Sequence, residues 1–293
     1  MFAVFVAEFI VIFIINACTL IVFARNRHLR KRTTYLIINL TVADLLVGVV
    51  SGPLHIYHTL KIDFGHGFSW QKFSVLTFDN IFTASSVASL CFISLERLHA
   101  TLYPFRHCLI GRWTYFKGIF CIWSLALIPA SADAALLLYE PVASRYLWAS
   151  FIFPSLLTIT ASYVIITAKV KSNSPHHQNI AVVSERKLSI TLFMVTFVSV
   201  LTILPWVFYA VLQIDILNQL SKSTQSLITD SVNVLFYASS FVNPLIYAIR
   251  MQEFRKAARL LCCNKTTDSS NLRHIELHAI YGMRKNMVLP SDD

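Results

Sequence analysis

Asp44, Asp79 and the pair Glu96-Arg97 stand within or at the rim of long apolar runs. An ionisable group there is costly unless it is paired, hydrated or neutralised, so each reads as a working residue. The chemistry open to such carboxylates is narrow: they can hold a protonated amine or relay a proton. Asp79 and Arg97 are 18 positions apart. That is about five helical turns, so they share one helical face and stand ~27 Å apart, close to the thickness of a bilayer's hydrocarbon core. The same face carries Thr83, Ser86, Leu90 and Ile93, polar in its outer half and apolar in its inner half. Such a stripe cannot face lipid. A second stripe follows further on, where Asn233, Tyr237, Ser240, Asn243 and Tyr247 recur at spacings of four, three, three and four.

The elements that must position these residues are membrane helices. The chain is 56% hydrophobic and 14% charged, a charge fraction well below that of soluble domains. Seven apolar segments, near 2–24, 34–57, 71–96, 113–136, 146–168, 188–212 and 227–249, are each long enough to span. All but Lys61, Lys72, Arg145 and Lys222 of the 25 basic residues fall on one side of the resulting topology. Because basic residues are retained in the cytoplasm, the amino terminus is expected outside and the tail inside. The net charge of +10 then follows from topology and attraction to anionic inner-leaflet lipids, and nucleic acid is excluded as a partner.

The expected fold is an all-α membrane protein, a seven-transmembrane helix bundle with a short amphipathic eighth helix. It divides into a bundle over 1–250, a membrane-surface helix over 251–263 and a polar, disordered cytoplasmic tail over 264–293. The first segment starts near Met1 without the pattern of a cleavable signal and reads as a spanning helix. Asn16 is its strongly polar interior residue and reads as an amide bonding nearby backbone. Pro129, Pro154 and Pro205 read as kinks inside spans. Past Arg250, Phe254, Ala258 and Leu261 fall opposite Arg255, Lys256 and Arg259, the pattern of a helix lying on the inner leaflet. Cys262 and Cys263 at its end suit palmitoylation. The six cysteines lie in spans or on the inner side, so no outer disulfide is expected. His176-His177 lacks a third ligand for a metal.

Taken together, Asn16, Asp44, Glu96-Arg97-Leu98, Trp123, Pro154, Pro205 and Asn243-Pro244-Leu245-Ile246-Tyr247, in this order and at these depths, resemble the rhodopsin-like (class A) G protein-coupled receptors over about residues 1–263. Within that family the chain resembles the biogenic amine branch. The resemblance implies plasma-membrane localisation, a ligand pocket open to the outside, activation of heterotrimeric G proteins inside, arrestin and a receptor kinase as further partners, and no enzymatic activity. It places Asp79, Asn80, Thr83, Ser150, Trp206, Asn233 and Tyr237 around an extracellular small ligand, a biogenic amine first. Asp44, Ser86, Ser239 and Asn243 match positions that surround an allosteric sodium ion, with no cofactor required. Glu96, Arg97, Glu185 and Tyr247 match the inner switch.

The chain departs from the family in several places. Lys72 replaces the cysteine of the usual outer disulfide, so the second outer loop needs other contacts. Ile203 stands where the family has Trp, and Ser199 where it has Phe, which alters the relay through the sixth helix. The remaining ligand alternatives are a short basic peptide or a melatonin-like, nucleoside-like or lipid-like molecule. A seven-helix transporter or proton carrier using Asp44 and Asp79 is a distant alternative, weakened by the lack of repeats and by only seven glycines. A non-signalling decoy or dimer partner is a third.

Overall fold

The computed structural model describes residues 1–29, 34–59, 70–172, 180–212 and 221–262. The side chains of 28, 58–59, 70–72, 74–75, 138, 141–142, 145, 170–172, 180–189, 210–212 and 261–262 lie outside the described set. Glu185, Cys262 and Lys72 therefore have no described side chain, and Cys263, His176-His177 and the tail from 264 lie outside the described residues altogether. The chain divides into two compact units, Met1–Arg255 and Lys256–Asp293. Unit one holds the bundle.

Among the described residues seven helices are long and apolar enough to cross a membrane. They are Phe2–Arg25, then Thr34–Leu46 continued through a π-turn Val47–Ser51 into Gly52–Thr59, then Trp70–Leu102, Arg112–Tyr139, Pro141–Ser172, Ile180–Leu212 and Lys222–Arg250. In chain order they are the first to seventh spans. Each span packs on its sequence neighbours and the seventh closes on the first, while the third also reaches the fifth and sixth and so runs through the middle. A short helix, Pro104–Leu109, follows the third span, and Gln252–Cys262 follows the seventh. In that last helix Phe254 is buried, with its ring 5.4 Å from that of Phe23.

The first and second spans touch closely because glycine allows it. A Cβ on Gly48 would come within 2.9 Å of the Phe13 backbone nitrogen, and one on Gly52 within 2.6 Å of the Phe9 ring. No side chain fits either position. Polar bonds then tie the spans. Asn16 donates to the carbonyls of Ile12 (2.9 Å) and Ser240 (3.0 Å), joining the first span to the seventh. The Trp123 indole donates to Asn39 (3.0 Å), whose amide donates to Ser89 (2.9 Å), joining fourth, second and third.

The helices run past the apolar segments that announce them. Hydropathy places an outer loop over 137–145, yet the fourth span continues to Tyr139 and the fifth begins at Pro141, leaving Glu140 as the whole connection. The Glu140 amide still bonds Leu136 (2.6 Å), and its carbonyl already accepts from Ser144 (3.1 Å). Proline at the first helical position is pre-set for a new helix and lacks an amide that would otherwise go unpaired. Ser221 caps the seventh span by accepting from the Thr224 amide at 3.2 Å.

Candidate functional site

The end of the bundle where the first span begins gathers around Asp79. The Tyr237 hydroxyl lies 3.2 Å from each Asp79 oxygen, joining the third and seventh spans, and 3.4 Å from Nδ1 of His55 on the second. Among the described residues no ion pair reaches Asp79. Aromatic rings line the surroundings: Phe9 is 4.9 Å from Tyr237, Phe236 is 5.7 Å from it, and Trp206 stands 5.3 Å from Phe236 and edge-on to Trp148 at 6.2 Å. Ile203, in the place of the family's Trp, is fully packed in this core. The large aromatic ring is thereby supplied three residues later, by Trp206. Thr83 is buried and helps floor the region, lining a small cavity with Ser86, Ser239 and Ser240. Asn233 is half-buried one turn from Tyr237.

Two expected pocket residues are engaged elsewhere. Ser150 is exposed on the bundle's outer surface, and its hydroxyl is spent on the Leu147 carbonyl at 2.7 Å. Its position on the fifth span faces away from Asp79. Asn80, adjacent to Asp79 in sequence, points to the fourth span and donates to Asp133 at 2.7 Å. The other Asp133 oxygen accepts from Ser144 of the fifth span at 2.7 Å. Sequence reasoning passed over Asp133, although a carboxylate inside Ala-Ser-Ala-Asp-Ala-Ala carried the same signal as Asp44. It ties the third, fourth and fifth spans together, and the described cysteines 18, 91, 108 and 121 are all free.

Deeper in the bundle, Asp44 is fully buried with both oxygens occupied, by the Ser86 hydroxyl (2.8 Å) and the Asn243 amide (2.8 Å). Asn243 in turn accepts from Ser199 at 3.0 Å. A polar chain thus runs Ser86, Asp44, Asn243, Ser199 through third, second, seventh and sixth spans. The small residue at 199 makes that last link feasible; a Phe has no donor to offer. Asn243 presents nitrogen, not oxygen, to Asp44. Ser240 lies beside Ser239 on the cavity wall and is the more buried of the two.

At the opposite end Arg97 is fully buried, with Nη2 2.6 Å from Oε1 of Glu96 and Nε bonded to Oε2. Glu96 also accepts from Tyr115 (3.2 Å) and faces Nε2 of His107 (3.3 Å). The fork geometry suits a guanidinium. Neither Tyr115 nor His107 was legible beforehand: His107 lies in the short connecting helix, which gives no periodic signal, and Tyr115 lies in the first turn of the fourth span, where the sequence does not show which neighbour it meets. Tyr247 is buried nearby on the seventh span with its hydroxyl unbonded among the described groups.

These carboxylates stand at graded depths in a bundle that has, among the described residues, seven helices long and apolar enough to cross a membrane. The family model for seven-transmembrane receptors of the rhodopsin family matches residues 15–144. Neuropeptide FF receptor 2 of Mus musculus is 32% identical over 46% of this chain, a match that covers 33% of that receptor's own length. Somatostatin receptor type 1 of Rattus norvegicus is 24% identical over 90% of this chain and 72% of its own, and the alpha-1A adrenergic receptor of Cavia porcellus 26% over 93% and 71%. Over residues 15–144 the chain is thus similar to the rhodopsin family of seven-transmembrane receptors, whose members are receptors and not enzymes.

Proposed function

We propose that this protein is a plasma-membrane receptor, amino terminus outside, that binds an extracellular small ligand beside Asp79 and activates a heterotrimeric G protein. The observation that carries the reading is the Asp79–Tyr237 pair: a carboxylate oriented by a neutral hydroxyl, walled by aromatic rings and without a basic partner among the described residues. A protonated amine supplies the missing charge, and Trp206 and Phe236 supply surfaces for its cation or ring. Asp79, Tyr237, Thr83, Asn233 and Trp206 form the ligand set; Ser150 and Asn80 leave it. A short basic peptide is the second reading, favoured by a relative named for a neuropeptide.

Ligand binding biases a two-state bundle. Outward movement of the sixth span breaks the Ser199–Asn243 bond, and Arg97 leaves Glu96 to meet the G protein together with Tyr247. Glu185 joins the resting clamp on Arg97. A sodium ion fits the resting state through the oxygens of Asp44, Ser86 and Ser239, with Asn243 orienting the carboxylate through its N–H and not serving as a ligand. Palmitoyl groups on Cys262 and Cys263 hold the end of the last helix at the inner leaflet, and arrestin and a receptor kinase act on the activated form.

A panel of monoamines and short basic peptides on cells expressing the receptor, read by cAMP and calcium and repeated on Asp79→Asn, tests the reading. An agonist losing potency on the variant supports it. Full potency on the variant, or a neutral agonist, removes the salt bridge from the pocket.

A further inference from the structure

The first span carries an acid that makes no hydrogen bond to the Asp79 site. Glu8 is only 8% exposed, and neither of its carboxylate oxygens has a hydrogen-bond partner among the described residues. It lines a groove between the first and seventh spans whose other walls include Val4, Ala7, Val11, Val234, Ala238 and Phe241. Val4 and Val11 are 46% and 40% exposed on the bundle's outer surface, so in a bilayer the groove opens to lipid. Glu8 lies six residues into the helix, ~9 Å from its start. The Asp79 site lies behind a wall of rings, Phe9 against Tyr237 at 4.9 Å and Phe5 against His55 at 4.7 Å.

We infer that this groove is a second binding site, one that takes a long-chain primary amine from the outer leaflet with its ammonium on Glu8 and its alkyl tail along the apolar walls. The chemistry is selective. A carboxylate in hydrocarbon without donors is costly, and an ammonium brings both opposite charge and three N–H donors. Seven of the eight lining residues are apolar, which suits a tail. A phospholipid amine would carry an anionic phosphate toward the same carboxylate, so the occupant is the simple amine. The site is independent of the ligand reading above.

The test uses dodecylamine with a photoreactive diazirine in its tail, added to the full chain in phosphatidylcholine nanodiscs, with adducts mapped by mass spectrometry. Labelling is expected within 3–11 and 234–241, competed by dodecylamine and not by dodecanol, and reduced about tenfold or more in Glu8→Gln. Ala238→Phe, which fills the groove and keeps the acid, should abolish it. Asp79→Asn should leave it intact, which separates this site from the outer pocket. Equal competition by dodecanol, unchanged labelling in Glu8→Gln, or displacement by phosphatidylethanolamine would overturn the proposal and assign the groove to ordinary boundary lipid.

Discussion

At the scale of single residues, Asp79 shows what a periodic pattern can foretell. Its face was readable from the repeat that links it to Arg97, and Tyr237 falls on the matching stripe of the seventh span. Both stripes turn inward, and the two residues meet at 3.2 Å. A hydrogen-bonded charge is worth about 1.5–3 kcal/mol. Asp79→Asn should therefore lower the potency of an amine agonist about 10- to 100-fold, whereas Tyr237→Phe, which leaves the charge in place, should cost less; concentration–response curves at matched surface expression decide the order. Ser199 is a different case. Its departure from the family's Phe was visible, but the sequence gives only the turn on which a residue lies and not the neighbour it meets, so its bond to Asn243 (3.0 Å) emerged with the structure. Ser199→Ala removes a link between the sixth and seventh spans that is made only while they are close. Raised ligand-independent cAMP or calcium signalling is expected, and unchanged basal activity would take this bond out of the resting state.

At the scale of helices, the seven spans were legible because hydrocarbon demands long apolar runs, and their ends were not. Hydropathy falls where Glu140 and Arg145 appear, while backbone hydrogen bonding is indifferent to that fall; only Pro141 marks the boundary between fourth and fifth spans. Asp133 then ties the third, fourth and fifth spans together. It accepts from Asn80 and Ser144 at 2.7 Å each, and its near-complete burial excludes competing water. Asp133→Asn keeps the shape but sets an N–H against one of the two donors, leaving a buried polar group unsatisfied at a cost of about 1–3 kcal/mol. The melting temperature of the detergent-solubilised protein should drop by several degrees. The same change at exposed Glu140 should leave it within a degree, and equal effects from both would show that Asp133 is no knot.

For the molecule as a whole, the chain from Ser86 through Asp44 and Asn243 to Ser199 couples four spans across the bundle's middle. If sodium stabilises that arrangement, agonist affinity should fall as sodium replaces a large organic cation at constant ionic strength, and Asp44→Asn should abolish the dependence; identical responses of the two proteins would remove the ion from this centre. The single residue between the fourth and fifth spans bears on time. A one-residue link has no length to fold over the mouth, so from that side a ligand meets no flap that must open before it arrives or leaves. Association should run in the range of ungated encounters, about 10⁵–10⁷ M⁻¹ s⁻¹, with residence set by the Asp79 contacts. Inserting a flexible ten-residue segment after Glu140 should slow arrival and departure together in washout experiments, with little change in equilibrium affinity. On the proposed receptor function, so short a link lets the protein follow rapid rises and falls of its ligand without averaging over them.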